Sequence, residues 1–162
     1  MLNEYLHYAF DEIDKAKGNV EMKVKKLDEN ARIPVRGSEG AAGYDLCSVT
    51  EVTILPGETK PIHTGIAIAL PKGTFGAIYA RSGMAIKRGL RPANCVGVID
   101  EDYRGEVIVA LHNDSDEVQL IHTGDRVAQL VIHEYKVVAM SWADELDDTQ
   151  RGEGGFGSTG TN

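Results

Sequence analysis

The sequence has few of the residues that stabilise small secreted domains or span membranes. Its 162 residues include only two cysteines, Cys47 and Cys95, whose spacing matches neither a zinc knuckle nor a CxxC redox site. We expect two buried, reduced thiols, with a disulfide as the alternative. No apolar run approaches the ~20 residues that a membrane span needs, and the acidic N-terminus is unlike a signal or transit peptide. A cytoplasmic protein is therefore expected, with a nuclear or virally encoded setting left open.

Basic residues are also scarce, with 17 Lys and Arg against 25 Asp and Glu and a net charge of −8. A protein that binds duplex nucleic acid needs a basic footprint, which this balance argues against. The balance also argues against an anionic membrane surface as the partner. A small anionic ligand stays compatible, because local charge can oppose net charge.

Apolar residues alternate with other residues in several short runs, at 20–25, 62–70, 106–112, 118–120 and 127–132. Proline, glycine, asparagine and aspartate separate these runs, at 56–57, 71–73, 113–114 and 123–124. Many short strands with turns at close intervals are typical of an all-β sandwich, jelly roll or barrel.

Two helices interrupt the strand pattern. Residues 1–17 carry apolar side chains at three- and four-residue steps, which predicts an amphipathic helix. A second, short helix is predicted over 83–88, with Ser82 as its cap and Gly89 at its end. We therefore divide the chain into an N-terminal helix at 1–19, a β-barrel domain at 20–143 and a C-terminal arm at 144–162.

Glycine is abundant, with 18 residues, and five of them lie in the last eleven positions. A disordered end is the ordinary interpretation of such a tail. This tail also carries Arg151, Phe156 and two hydroxyl residues, Ser158 and Thr159. Glycine N–H groups and arginine bind phosphate, and an aromatic ring stacks on a base. Together these residues indicate a lid over a nucleotide.

A polar segment between two apolar runs holds a candidate general base. Asp100 directly follows Val98 and Ile99, which we expect to form a buried strand. A carboxylate at such a boundary suits proton abstraction, and Tyr103 in the same turn suits packing against a sugar. A hairpin turn with solvated carboxylates is the alternative.

Polar residues within two apolar strands are weaker signals. Asp45 suits a hydrated Mg²⁺ ion, which is typically held by one or two carboxylates and substrate phosphates. Gln129 suits a phosphate contact. For Asp125 we expect a structural ion pair with Arg126 or with another arginine. The start of the short helix, at 81–83, suits either anion binding or plain capping.

Five segments, taken in order, resemble the five motifs of the trimeric dUTPase family. They are Ala41-Ala42-Gly43-Tyr44-Asp45-Leu46, Arg81-Ser82-Gly83, Gly97-Val98-Ile99-Asp100 through Tyr103 and Gly105, Gly124-Asp125-Arg126-Val127-Ala128-Gln129-Leu130, and residues 151–160. The resemblance spans residues 20–162. One departure is Ala80, where many members have proline.

The resemblance implies a jelly-roll subunit in a homotrimer with three active sites at the subunit interfaces. It implies hydrolysis of dUTP to dUMP and pyrophosphate, with Mg²⁺ on the triphosphate. That reaction would limit uracil incorporation into DNA and supply dUMP for thymidylate synthesis. Motifs one, two and four would come from one subunit, motif three from a second and motif five from the third.

The resemblance also implies residue roles. Asp100 would activate the water that attacks the α-phosphorus, and Tyr103 would pack under deoxyribose and exclude a ribose hydroxyl. Uracil would meet mainly backbone groups of the motif-three hairpin, at Asn94, Gly97 and Ile108, and the tight hairpin would reject a 5-methyl group.

The remaining implied roles concern the phosphates and the lid. Asp45 would hold Mg²⁺ through water, and Phe156 would cover the base. Ser82, Gly83 and Gln129 would contact the phosphates, and Arg81 would supply positive charge to the substrate site. Arg151 and Ser158 of the fifth motif would bind the γ-phosphate, and Gly157 beside them would also belong to the substrate site.

Two alternatives stay open. A dCTP deaminase, or a bifunctional deaminase–diphosphatase, has the same fold with a different motif-three neighbourhood. A non-catalytic protein on this fold would bind a nucleotide or a protein partner. Residues 1–17 lie outside the resemblance, and a regulatory role for them is a separate hypothesis.

Overall fold

A computed structural model describes residues 21–155 of the chain, and its regular structure is almost all strand. The elements run in chain order β1 (Lys23–Lys26), β2 (Val35–Arg36), β3 (Tyr44–Cys47), β4 (Val52–Ile54), β5 (Thr59–Ala69), β6 (Thr74–Tyr79), α1 (Ser82–Arg88), β7 (Leu90–Pro92), β8 (Gly97–Ile99), β9 (Glu106–Asn113), β10 (Gln119–Ile121) and β11 (Arg126–Glu134).

Alternating side chains explain how these strands build a core. Strand β9 buries Val107, Val109 and Leu111, whereas Ile108 between them is 41% exposed. Successive side chains of a strand point to opposite faces, so one row enters the core and the other meets solvent. The runs predicted at 62–70, 106–112 and 127–132 become β5, β9 and β11. Only β9 keeps the alternation throughout, because residues 64–68 of β5 are all buried.

The strands form three antiparallel sheets. One has the order β1-β5-β9-β7, the second has the order β2-β3-β11-β6-β8, and β10 pairs with β4. All three contribute to one buried cluster, which includes Leu130 and Ile62 from the large sheets and Ile54 from the small one. The expected jelly-roll barrel is confirmed.

The internal helix α1 differs from its prediction at the start. Arg81, in an extended conformation, occupies the cap position without a side-chain hydrogen bond, so the predicted capping by Ser82 is wrong. The predicted end is confirmed, because Gly89 adopts φ 63° and its N–H bonds to Ala85 and Met84 carbonyls. Glycine tolerates this left-handed conformation at the least cost.

The cysteines and the strand at 118–120 differ from their predicted burial. Cys47 and Cys95 are both free thiols, but neither is fully buried, and Cys95 is exposed. The strand predicted at 118–120 is found as β10 at 119–121. Leu120 of this strand is exposed, as is Val118 just before it, whereas Ile121 is buried.

The N-terminal helix expected at 1–17 falls outside the described residues, and the three-part domain division stays a prediction. Within residues 21–155, no helix combines the length and apolar character that crossing a bilayer requires.

Candidate active site

Three segments distant in sequence meet near one end of the three central strands of the five-stranded sheet. Gln129 on β11 pairs with Asp45 of β3 on one side and with Tyr79 of β6 on the other. Two residues beyond Tyr79, Arg81 begins the turn into α1. Strand register therefore brings the first, second and fourth motifs together.

Asp45 is the centre of an arginine cluster. Its carboxylate accepts from Arg81 Nε at 2.8 Å and from Arg126 Nη1 at 3.1 Å, and its side chain is only 11% exposed. Arg81 also donates to the Arg126 carbonyl oxygen at 3.4 Å. Two guanidinium groups against one carboxylate leave a net positive site, which suits phosphate oxygens.

Arg126 is a site residue that the sequence reasoning missed. It pairs with Asp45, whereas Asp125 lies 3.8 Å from Arg88, so the alternative of another arginine is the one found. The sequence did contain one signal, because Arg126 directly precedes the apolar residues Val127 and Ala128 at the start of a predicted strand. That pattern indicates that the Arg126 side chain points away from the core, but it does not identify the residue with which it pairs.

Gln129 is held in place by a close approach of two strands. Its Nε2 donates to the Ala80 carbonyl oxygen at 2.9 Å. A methyl group at Gly43 would lie 2.5 Å from Gln129 Oε1, so only glycine at that position leaves room for this amide. The Gly43 of the first motif therefore shapes a side chain of the fourth.

The start of α1 adds backbone donors to the cluster. Ser82 and Gly83 are exposed, and the cap makes no side-chain hydrogen bond. The first N–H groups of a helix have no intrahelical partner. These donors lie directly after Arg81, at the end of the strands where the arginines converge.

The surroundings of Cys47 show how far the positive charge extends. Burial raises the pKa of the Cys47 thiol, and the nearby charges of Arg32, Arg126 and Arg81 oppose that rise. The Arg32 guanidinium also lies against Gly124, where a methyl group would approach Nη2 to 2.8 Å. Arg32, which no motif predicted, therefore belongs to the same positive surface.

A resident metal ion does not fit this arrangement. Asp45 is nearly buried, and each of its oxygens already accepts from a guanidinium. Among residues 21–155, no group of three or more His, Cys, Asp or Glu side chains is placed to hold an ion. Two adjacent cations disfavour a third, so the cluster suits an anion rather than a bare cation.

The second candidate region is the turn between β8 and β9. Asp100 is exposed, and its carbonyl oxygen accepts from the Tyr103 N–H at 3.1 Å. The Tyr103 hydroxyl donates to the Glu106 carbonyl oxygen at 3.1 Å, and its ring occupies the space where Gly105 lacks a side chain. The ring is thus held beside Asp100.

The strands on either side of this turn do not form a paired hairpin. β8 is the last strand of the five-stranded sheet, whereas β9 lies in the other large sheet. The expectation of a buried strand before Asp100 is also wrong for Val98, which is 59% exposed because it lies on the opposite face of β8 from the buried Gly97.

Three residues expected to meet a base lie on or next to β8 and β9: Asn94 precedes β8, Gly97 begins it and Ile108 belongs to β9. Gly97 is buried, and a methyl group there would lie 3.3 Å from the Asn94 amide nitrogen. The Ile108 side chain on β9 is 41% exposed. It lies before the part of β9 that pairs with β7, which begins at Leu111. Within the described part of the chain, no strand occupies the second edge of β8.

The two candidate regions are well separated within one chain. Asp100 follows Ile99, which pairs with Gly76, whereas Gln129 pairs with Tyr79 on the next strand. Asp100 therefore lies two strands across the sheet and four residue positions along the strands from Gln129. In ideal strand geometry these two offsets place the two Cα atoms about 16 Å apart. One chain therefore does not bring Asp100 to the arginine cluster.

The start of the fifth motif lies apart from both regions. Arg151 is exposed and donates from Nε to the Gly154 carbonyl oxygen at 2.7 Å, within its own turn. Phe156, Gly157 and Ser158 fall outside the described residues.

Comparison with known proteins decides the family. The dUTPase family model matches residues 29–160. The deoxyuridine 5'-triphosphate nucleotidohydrolase of Corynebacterium glutamicum is 47% identical over 140 residues, covering 86% of this chain and 94% of that protein. The chain belongs to the dUTPase family. The corresponding protein of Paramecium bursaria Chlorella virus 1 is 48% identical, covering 85% of this chain and 96% of the viral one.

Solved dUTPase structures resemble the fold as well. A mutant of the Staphylococcus bacteriophage 80alpha dUTPase, solved with dUpNHpp, matches with a TM-score of 0.79 and 31% identity over 87% of this chain and 99% of that chain. A mutant dUTPase of S. aureus phage phi11, described with a structural Mg(II) ion, matches with a TM-score of 0.71 and 29% identity over 78% and 98%. This chain is thus a dUTPase-family enzyme of nucleotide metabolism.

Proposed function

We propose that the protein hydrolyses dUTP to dUMP and pyrophosphate at sites shared between three copies of the chain. Asp100 of one copy would deprotonate the water that attacks the α-phosphorus, and the arginine cluster of another would hold the phosphates. The observation that carries the proposal is the net positive cluster of Asp45, Arg81, Arg126 and Gln129.

The arginine cluster supports triphosphate binding because it carries net positive charge and because its guanidinium groups are held in place. Asp45 holds the Arg81 and Arg126 guanidinium groups in fixed orientations before any ligand arrives. Charge-assisted hydrogen bonds from such donors are roughly twice as strong as neutral ones. Gln129 and the first N–H groups of α1, at Ser82 and Gly83, extend the same surface.

The separation of the two regions supports sharing between subunits. A general base works within hydrogen-bond reach of its proton, or through one water. The gap of about 16 Å between Asp100 and Gln129 is several strand spacings, far beyond that reach. A second copy that presents Asp100 to the cluster completes the site.

The exposed C-terminal segment supports assembly too. Val137, Met140, Trp142 and Leu146 are each at least 87% exposed. Large apolar side chains in such numbers mark a surface that another chain covers. We propose that this segment reaches a neighbouring subunit and delivers Arg151, Phe156, Gly157 and Ser158 to its site as a lid.

The unpaired edge of β8 supports recognition of uracil. It offers backbone donors and acceptors, Asn94 lies next to Gly97 at its start, and Ile108 on β9 is exposed. A base inserted between two strand edges can replace the missing pairing. Tyr103, held by Glu106 and Gly105, would then lie against the deoxyribose.

Magnesium enters this proposal with the triphosphate rather than as a resident ion. Asp45 would act on such an ion only through water, since its oxygens already accept from guanidinium groups. The phosphate charge would supply most of the attraction for the metal.

The decisive experiment measures pyrophosphate release from dUTP and the four standard dNTPs, with ammonia release from dCTP in parallel. We expect release from dUTP alone. The substitution Asp100→Asn should reduce turnover by at least about 100-fold, the scale of losing a general base, while dUpNHpp binding stays intact.

The control is Asp102→Asn, which removes the same charge from the same turn. Near-normal turnover in Asp100→Asn would overturn the base assignment. Ammonia release from dCTP would favour the deaminase alternative instead. Full activity in a monodisperse monomer would contradict shared sites.

A further inference from the structure

The side chain of Glu101 is tied more firmly than its surface location suggests. Its Oε2 accepts from the Gly73 N–H at 2.6 Å and from the Tyr135 hydroxyl at 3.0 Å. The same oxygen therefore receives two donors from two different parts of the chain.

These hydrogen bonds join three segments. Glu101 lies in the turn after β8, Gly73 in the turn before β6, and Tyr135 directly after β11. The latter two segments are themselves joined, because the Tyr135 N–H donates to the Gly73 carbonyl oxygen at 3.2 Å. The turn that carries Asp100 is thus anchored to an independent pair of segments.

The backbone of the turn is restrained from the other side by Arg104. Its Nη1 donates to the carbonyl oxygens of Glu101 and Tyr103, at 2.7 and 2.8 Å. Glu101 is therefore restrained through both its side chain and its main chain.

The charge state of this network agrees with the geometry. The Gly73 N–H, followed by the Tyr135 hydroxyl, lowers the pKa of the Glu101 carboxyl. The same bond to Glu101 raises the pKa of Tyr135. Glu101 is thus an ionised acceptor, and hydrogen bonds to an ionised acceptor are the stronger kind.

The Asp100 carboxylate has no comparable anchor. It is exposed, and among residues 21–155 the hydrogen bonds of this turn are made by the Asp100 carbonyl oxygen and by Glu101, Tyr103 and Arg104 rather than by that carboxylate. A side chain that must activate one water needs a fixed backbone, since a displacement of about 1 Å can cost about 100-fold in rate.

We propose that Glu101, bound by Gly73 and Tyr135, is a positioning residue that fixes the backbone of Asp100. The inference rests on the proposed role of Asp100 as general base. If the inference holds, loss of the Glu101 side chain lowers kcat and leaves the affinity for substrate unchanged.

The test compares four variants by kcat for dUTP and by the dissociation constant for dUpNHpp. Glu101→Ala removes both hydrogen bonds and should lower kcat about tenfold or more, with the dissociation constant unchanged. Glu101→Gln keeps an acceptor oxygen and should restore most of kcat. Tyr135→Phe removes one bond and should fall between them.

Asp102→Ala is the matched control, because it removes a carboxylate from the next position. Asp102 is exposed and makes no hydrogen bond or ion pair within the described residues. We expect it to behave as the unmodified protein. A Glu101→Ala variant that matches Asp102→Ala would overturn the inference, as would equal losses in kcat and in dUpNHpp affinity.

Folding is checked by circular dichroism and thermal unfolding. If Glu101→Ala does not fold, Tyr135→Phe is compared with Asp102→Ala instead. A kcat of Tyr135→Phe equal to that of the control refutes the positioning role. The proposed function fails separately, if the unmodified protein does not hydrolyse dUTP or if Asp100→Asn stays fully active. Full activity of Glu101→Ala beside an inactive Asp100→Asn refutes only this inference.

Discussion

The substitution Gly43→Ala tests whether the Gln129 side chain belongs to the phosphate site, without changing a charged group. A methyl group at this position would lie 2.5 Å from Gln129 Oε1 and 3.1 Å from its Cβ. The backbone itself accepts alanine, since Gly43 is not among the positive-φ glycines. The flexible end of Gln129 must therefore move.

The size of the effect follows from the bonds that the amide makes. Its hydrogen bond to the Ala80 carbonyl, at 2.9 Å, is worth about 1 kcal/mol, which lowers Tm by about 2–4 °C in a chain of this size. A hydrogen bond to a charged phosphate is worth about 1.5–3 kcal/mol. Losing it should lower kcat/KM by about 10- to 100-fold.

The assay is pyrophosphate release from dUTP, compared with Gly40→Ala. Gly40 lies in the same loop, and a methyl group there meets nothing within 4 Å. Gln129→Ala should resemble Gly43→Ala, and combining the two should add little, because both remove the same contact. Equal activity in Gly43→Ala and Gly40→Ala would refute the reasoning, as would additive losses.

Two further predictions concern the tail and the helix end. Removing residues 151–162 should leave the folded assembly but little activity, since none of residues 151–155 belongs to the buried cluster. A retained rate of pyrophosphate release, with unchanged mass by light scattering, would exclude the lid. Gly89→Ala should lower the free energy of unfolding by at least about 1–2 kcal/mol, because φ is 63° and the methyl group would approach the Ser115 backbone nitrogen to 3.0 Å. The measurement is urea unfolding, with Gly37→Ala as the control, because a methyl group at Gly37 would meet no atom within 4 Å. Equal free energies of unfolding for the two variants would contradict the strain expected at Gly89.

Local patterns predicted the elements well where one physical rule dominates. The alternation in 106–112 specifies a strand because a half-buried strand needs an apolar row. Gly57, Gly73 and Gly124 lie in three of the predicted turns. All three have positive φ, a conformation that glycine adopts without strain. The end of α1 at Gly89 follows from the same conformational freedom.

The same patterns failed where pairing decides the outcome. Leu120 of β10 is exposed, as is Val118 just before the strand, because the pairing of β10 with β4 turns Ile121 toward the core. Val98 is exposed because it lies on the opposite face of β8 from the buried Gly97. Hydrophobicity alone does not show which face of a short strand meets the core.

The sequence by itself determined the strand periodicity, most of the turns and the set of chemical groups, because these depend on near neighbours in the chain. Only the tertiary structure decided that Arg126 faces Asp45, that β8 and β9 lie in different sheets, and that Glu101 binds Gly73 and Tyr135. Those outcomes depend on the register between distant strands. Register is set by how the whole core packs, and one change of register moves every side chain of a strand to the other face.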